Sequence, residues 1–235
     1  MTATTGHDDV LAFLSSLQLA DSLFPSGLYT LSHGLEAFAQ AGQVQPGALA
    51  GLLTDYLRYG VGPADGVALA CAHRAATAGD LDLAARADTR LTAVKLAREV
   101  REASLRTGRQ LLTLAGQLFG GDDLAAYAVR VRHGAAPGNQ AVVLGLALAT
   151  LGVPRERAVA GELYAFAASC VGASVRLGAL DHRVAQAVLH QLKPVIAETA
   201  HAAQDQGVAD IGGCVPLVDI MTMRHEQADV RLFMS

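Results

Sequence analysis

The chain has 235 residues, a formal net charge of −4, and 51% hydrophobic residues of which few are aromatic. That length suits one domain, or two small ones, with a sizeable core, and the acidic balance argues against nucleic acid as a general partner. With Gly counted and Tyr left out the apolar share is about 59%, against roughly 45–50% for typical soluble domains. Much of the surplus is Ala, which suits close helix packing; the rest implies apolar surface covered by a second copy or another protein.

Cys71, Cys170 and Cys214 are odd in number and far apart, so neither a disulfide framework nor a CxxC metal site is implied. The first residues, Met-Thr-Ala-Thr-Thr-Gly-His-Asp-Asp, lack the basic start of a signal peptide. The longest uncharged apolar stretch, Ala141 to Val153, is short of the roughly 20 residues of a spanning helix. The expectation is a soluble, cytoplasmic protein.

In chain order, Val10, Phe13, Leu14 and Leu17 predict a first helix that stops before Pro25, because the Pro ring disfavours αR at Phe24. Gly27 supplies a turn, Ser32 is placed to cap a second helix, and Asp21, Tyr29, His33 and Glu36 gather around the elbow between them. Pro46 suits a first helical turn, with Leu49, Leu52, Leu53, Tyr56 and Leu57 following at helical spacing. Gly62-Pro63-Ala64-Asp65 should break that helix before an Ala-rich one that runs to Gly79. Asp80 caps the next, and a long helix covers Arg98 to Phe119.

A short helix near Leu124 to Val131 precedes the loop His133 to Asn139. Gln140 to Leu151 is apolar nearly all round, the mark of a buried central helix. After Pro154 comes a helix whose Gly161, Ala165, Ala168 and Gly172 would admit a neighbouring backbone. Asp181 caps a last long helix, which Pro194 should kink or divide. Gly212-Gly213 reads as a flexible joint. The fold expected is all-α, about eight to ten helices, with a domain over residues 1–213 and a tail over 214–235.

Arg86 to Arg109 holds seven Lys/Arg and three Asp/Glu. A solvated face with i,i+4 pairs such as Arg98–Glu102 is the plainer reading, and a docking surface for an acidic partner the other. The eight histidines show no H-x-x-x-H spacing, so scattered or capping roles are expected and no metal ligands are assigned. No P-loop or G-x-S-x-G elbow is present, and no catalytic residues are assigned. The tail mixes adaptable Met221 and Met223 with Arg224, His225, Glu226, Arg231 and Phe233, so it either wraps its own domain or orders on a partner.

Pro25-Ser26-Gly27-Leu28-Tyr29-Thr30-Leu31-Ser32-His33-Gly34-Leu35-Glu36 resembles the opening motif of the urease accessory protein F (UreF) family. Arg101 to Arg109 and the ending, Pro216 to Glu226 and Arg231 to Ser235, resemble later motifs of the same family. In order from residue 17 to the last, they make the resemblance specific and nearly chain-wide. It implies an all-helical dimer, not an enzyme. Such a protein binds urease accessory protein D (or H) and the GTPase urease accessory protein G, and the complex delivers nickel to apo-urease.

No tightly bound cofactor is implied; nickel is cargo handled by the complex. The tail, through Met221, Met223, Arg224, His225, Glu226, Arg231 and Phe233, is expected to order on the D/H partner. The elbow residues Asp21, Pro25, Gly27, Tyr29, Ser32, His33, Gly34 and Glu36 are structural or contact a partner. Three departures from the family pattern are Met234 in place of Arg, the longer Gly134–Gln140 connection, and Leu180-Asp181-His182 in place of Leu-Gly-Gln. The rival from another class is an all-α small-molecule enzyme using Asp21, His33 and Glu36 in a cleft.

Overall fold

The computed structural model describes residues 3–21, 23–228 and 231–234. Ser22, Asp229, Val230 and Ser235, which belong to the elbow, the tail and the closing motif, lie outside the described residues. Among the described residues every regular element is helical, and no strand occurs.

Helix α1 spans Ala3–Ala20, as the block at Pro25 requires. A 3₁₀ turn, Leu28–Thr30, leads to the short α2, Leu35–Gln40. Helix α3, Pro46–Asp55, does not break at Gly62-Pro63 as the composition suggested. It continues as a π-helical segment, Tyr56–Gly66, directly into α4, Val67–Ala78. The wider turn accommodates a proline without an N–H and leaves main-chain carbonyls turned outward. Two of them are used: Pro63 O accepts from Gly212 N at 3.2 Å, and Tyr59 O from Cys214 N at 2.8 Å.

Between those bonds Gly213 lies so close that a Cβ would stand 2.6 Å from Tyr59 O. The Gly212-Gly213 pair is therefore a close crossing of two backbones, pinned on both sides. It is not a flexible joint.

Helices α5 (Leu81–Val94), α6 (Arg98–Leu118) and α7 (Asp122–Arg132) follow. Asp80 caps α5 by accepting from Leu83 N at 3.0 Å. Helix α8, Gln140–Thr150, is buried from Gln140 through Leu148 and packs on α4 and α6 at the centre of the bundle. Helices α9 (Arg155–Arg176) and α10 (His182–Ala203) pack on each other, and Asp181 caps α10 through the N–H groups of Arg183 and Val184. Pro194 sits inside α10 without dividing it. On α9, Gly161 and Gly172 meet open space instead of the close backbone their size suggested.

By length and composition α9 passes as a membrane-spanning helix, but half of its apolar window is buried within the bundle. After a 3₁₀ turn at Val208–Asp210, α11 (Pro216–His225) closes the fold against α2 and α6.

Candidate functional site: the docked C-terminal segment

Helix α2 exists because two successive residues take left-handed backbone. His33 has φ 54° and Gly34 φ 84°, after which Leu35 begins the helix. Gly34 is needed twice over, because a Cβ there would meet Thr222 Oγ1 of α11 at 2.5 Å. Ser32 Oγ accepts from Glu36 N at 3.4 Å, which keeps the capping role although Gly34 is the residue at the cap position.

This turn aims Glu36, 3% exposed, at the chain end. Glu36 Oε1 accepts from Leu232 N at 2.7 Å, and Oε2 accepts from Phe233 N at 3.0 Å and faces His225 Nε2 at 2.9 Å. On the far side of the imidazole, His225 Nδ1 lies 2.8 Å from Glu99 Oε2 of α6. Glu99 Oε1 accepts from Arg231 at 2.5 Å, and Glu99 N donates to Glu226 Oε1 at 3.0 Å. Arg98 reaches Glu226 at 3.6 Å and Glu102 at 4.0 Å. Burial alone would raise the Glu36 carboxyl; the Leu232 N–H, His225 and the Phe233 N–H outweigh it and hold it below the usual carboxylate range.

A second clamp lies beside the first. The Arg176 guanidinium of α9 is 4.0 Å from the Tyr29 ring centroid and 4.5 Å from that of Phe233, and it donates to Tyr29 O. Tyr29 thus stacks on a cation. Met234 N donates to Thr30 O at 3.0 Å, a main-chain bond open to any residue at that position, so the departure from the family's Arg leaves it intact.

The structure therefore sorts the tail residues. Met221, His225 and Phe233 are buried in the domain itself, and Glu226 and Arg231 are engaged with α6. Met223 and Arg224 face solvent beside Leu217 and Ile220. Of the two readings that composition leaves open for the tail, wrapping its own domain is the one seen here, because its charges find buried partners on α2 and α6. Glu99 and Arg176 were not singled out from the sequence. Glu99 is the acid in the first turn of a basic helix, two residues before a quoted motif; that context was the available signal.

The elbow residues divide in the same way. Asp21 is exposed and accepts from Leu23 N at 2.8 Å; Pro25, also exposed, accepts at its carbonyl from Gln110 at 3.1 Å; Gly27 makes its left-handed turn at φ 92°. His33 Nε2 is 3.2 Å from Ser169 Oγ, and its ring packs edge-on to Phe166 at 4.7 Å. Burial, with the Lys95 charge adding, lowers its pKa to about 4. Asp21, His33 and Glu36 are thus committed to three different local tasks and do not converge as an acid–base cleft.

Beneath the elbow lies a cavity of about 110 Å³ bordered by His33, Tyr56, Asp65, Lys95, Glu162 and Asp219. Lys95 bonds both oxygens of Asp65 at 2.8 Å, and burial raises the Glu162 carboxyl to about 7. Among the described residues no group of three or more His, Cys, Asp or Glu is arranged to hold a metal ion.

Fold and site define an all-helical protein whose distinctive polar centre is an intramolecular docking site for its own C-terminal helix. Two of the three motif segments, Pro25 to Glu36 and the C-terminal ending, meet in that site, and the α6 residues that line it, Arg98 and Glu99, lie just before the third. Residues 44–193 match the UreF family. Over 227 residues the chain is 35% identical to the urease accessory protein UreF of Paenarthrobacter aurescens strain TC1, covering 94% of this chain and 97% of that one. It is 32% identical to the UreF of Trichodesmium erythraeum strain IMS101 (97% and 98% covered) and 30% identical to UreF 2 of Brucella canis (99% and 96%). The chain belongs to the urease accessory protein UreF family.

Proposed function

We propose that the chain is a non-catalytic scaffold of urease maturation. It joins the GTPase accessory protein G to accessory protein D/H so that the complex inserts nickel into apo-urease in the cytoplasm. The observation that supports this reading is the way α11 is held. Its inner residues Val218, Met221 and His225 are buried, while Leu217, Ile220, Met223 and Arg224 form an exposed outer row. A helix fixed by one face and apolar on the other offers a preformed docking edge, with Arg224 as a charged anchor. A scaffold of this kind couples its partners by differential binding, so nucleotide state on one side biases metal release on the other.

Co-purification with tagged D-type and G-type proteins tests the reading. The wild-type chain should retain both. Leu217→Asp with Ile220→Asp should lose the D-type protein by about a hundredfold in affinity while keeping its helical spectrum. Capture of neither protein by the wild type would overturn the scaffold assignment, and full-strength capture by the variant would overturn the α11 surface.

The scaffold is also proposed to be a homodimer. On α1, Val10, Phe13, Leu14 and Leu17 recur at helical spacing, and each is about half exposed. Light scattering should give a dimer for the wild type and a monomer for Phe13→Asp with Leu14→Asp. A wild-type monomer at micromolar concentration would remove the dimer.

A further inference from the structure

The cavity beneath the elbow is large for a void and polar for a core. Its volume of about 110 Å³ approaches that of engineered cavities of about 150 Å³ that hold a benzene-sized guest, so about five heavy atoms fit. Leu96 and Cys214 on its border are exposed, which gives it a mouth to solvent. Leu28, Leu31, Val100 and the edge-to-face pair Tyr56 and Phe166, with centroids 4.8 Å apart, make its walls largely apolar.

The polar groups of this cavity are not closed among themselves. Glu162 of α9 is 8% exposed, and its bond from Gln140 Nε2 to Oε2, at 3.2 Å, leaves Oε1 open. Ser104 Oγ of α6 is buried without a hydrogen-bond partner. Lys95, between α5 and α6, is matched by Asp65 of the π-helical segment, 2.8 Å from both carboxylate oxygens. His33 stays neutral, since burial lowers its pKa to about 4. Asp219 of α11 also borders the cavity and accepts from Cys214 Sγ at 3.2 Å. On the other side of α9, Arg157 is taken by Asp9 of α1, 2.9 Å away. Lys95 and Asp65 cancel, so among the described groups Glu162 and Asp219 border the cavity with no cation to match them. A buried carboxylate in that position favours a guest that brings positive charge and N–H donors. The absence of any metal-holding group of side chains among the described residues argues for an organic cation, whose hydrocarbon part the walls suit and whose charge the aromatic rings favour.

We propose that this cavity is a binding site for a small primary ammonium ion of about five heavy atoms, its charged head bonded to Glu162 and its hydrocarbon end on the apolar walls. Ser104 Oγ supplies a further acceptor at the same cavity. The empty cavity leaves the Glu162 carboxyl pushed up to about 7 by burial, so near neutral pH it is only partly ionised. Binding needs the anion, while the amine, like a lysine side chain, stays charged through pH 8. Affinity should therefore rise about tenfold from pH 6 to pH 8 and level off above it. The site belongs to the interior of the bundle and stands apart from the scaffold reading.

The probe is n-butylammonium, with 1-butanol as its neutral counterpart and butyrate as its anionic one, each titrated into the full-length chain and followed by calorimetry and amide chemical shifts. At pH 8 n-butylammonium should bind with a Kd of about 1 mM or tighter, at least about tenfold better than either counterpart. The shifts should gather on α6, α9 and the π-helical segment around the cavity. Glu162→Gln keeps the side chain's shape and its bond from Gln140, and should lose the preference for the cation with the helical spectrum unchanged. Ala165→Leu, on the cavity border, should fill the space and exclude n-butylammonium and 1-butanol alike. No binding of n-butylammonium up to about 50 mM would mean a cavity that holds water only, and would overturn the site. Equal binding of 1-butanol, a cation preference that survives in Glu162→Gln, an affinity that does not change with pH, or shifts away from the cavity would each overturn it as well.

Discussion

An Asp88→Ala variant should lose about 3–5 kcal/mol of folding stability, a large part of the roughly 5–15 kcal/mol typical of a domain. Asp88, on α5, is fully buried, yet all its acceptor positions are filled. Oδ1 accepts from Asn139 N at 2.9 Å and Asn139 Nδ2 at 2.6 Å; Oδ2 accepts from Gly138 N at 2.6 Å and the Tyr127 hydroxyl at 2.5 Å. These donors belong to α7 and to the connection that opens α8, so one carboxylate ties three elements together. Removing it strands several buried donors at once, each costing about 1–3 kcal/mol before relaxation.

The tight crossing beside it limits relaxation, since a Cβ on Gly108 of α6 would meet Gly138 O at 2.1 Å. Tyr127→Phe, which removes one donor and leaves the others, should cost only about 1–2 kcal/mol. Urea unfolding with an unchanged m-value measures both. An unfolding free energy for Asp88→Ala within about 1 kcal/mol of wild type would mean that the loop is held by something else.

Glu36→Ala should undock the chain end while the bundle around α4, α8 and α9 stays folded. The substitution removes the acceptor for Leu232 N, Phe233 N and His225 Nε2 together. Breaking such a buried charged set by taking out one member costs about 3–5 kcal/mol. The docked segment must offset roughly 1–2 kcal/mol of backbone entropy for each ordered residue, so it has little reserve to absorb that loss. Trypsin reports the result, because Arg224 and Arg231 lie in the segment. Cleavage there should accelerate by about a hundredfold or more, with far-ultraviolet circular dichroism nearly unchanged. Cleavage at the wild-type rate would show that Glu36 does not hold the segment. A collapse of the whole helical spectrum would show that α11 is needed by the core.

The basic run from Arg86 to Arg109 illustrates how far charge patterning carries. The Arg98–Glu102 pair is present, with both side chains about two-thirds exposed, and such a pair contributes little. Other cations of that run are drawn inward: Lys95 to Asp65, Arg90 to Ile211 O, and Arg101 to the carbonyls of Lys95 and Leu96. Composition reports how many charges a segment has. It does not report which of them a neighbouring element will meet.

What the sequence determined by itself was local or periodic. The all-α class follows from 3.6-residue apolar spacing, the end of α1 from Pro25, the starts of α5 and α10 from Asp80 and Asp181, and the central place of α8 from an apolar run with no polar face. Family membership was legible from three motifs because motifs are linear. What only the tertiary structure decided was contact between remote segments. Glu36, Glu99 and His225 are one cluster although 63 and 126 residues separate successive members. Gly213 is a crossing point and not a hinge because Tyr59 O happens to lie against it. The π-helical passage through Pro63 exists because the linker to α11 takes up the carbonyls it frees. A side chain's local preference is written in its neighbours along the chain, but the partner of a buried charge is chosen by packing, and packing is a property of the whole core.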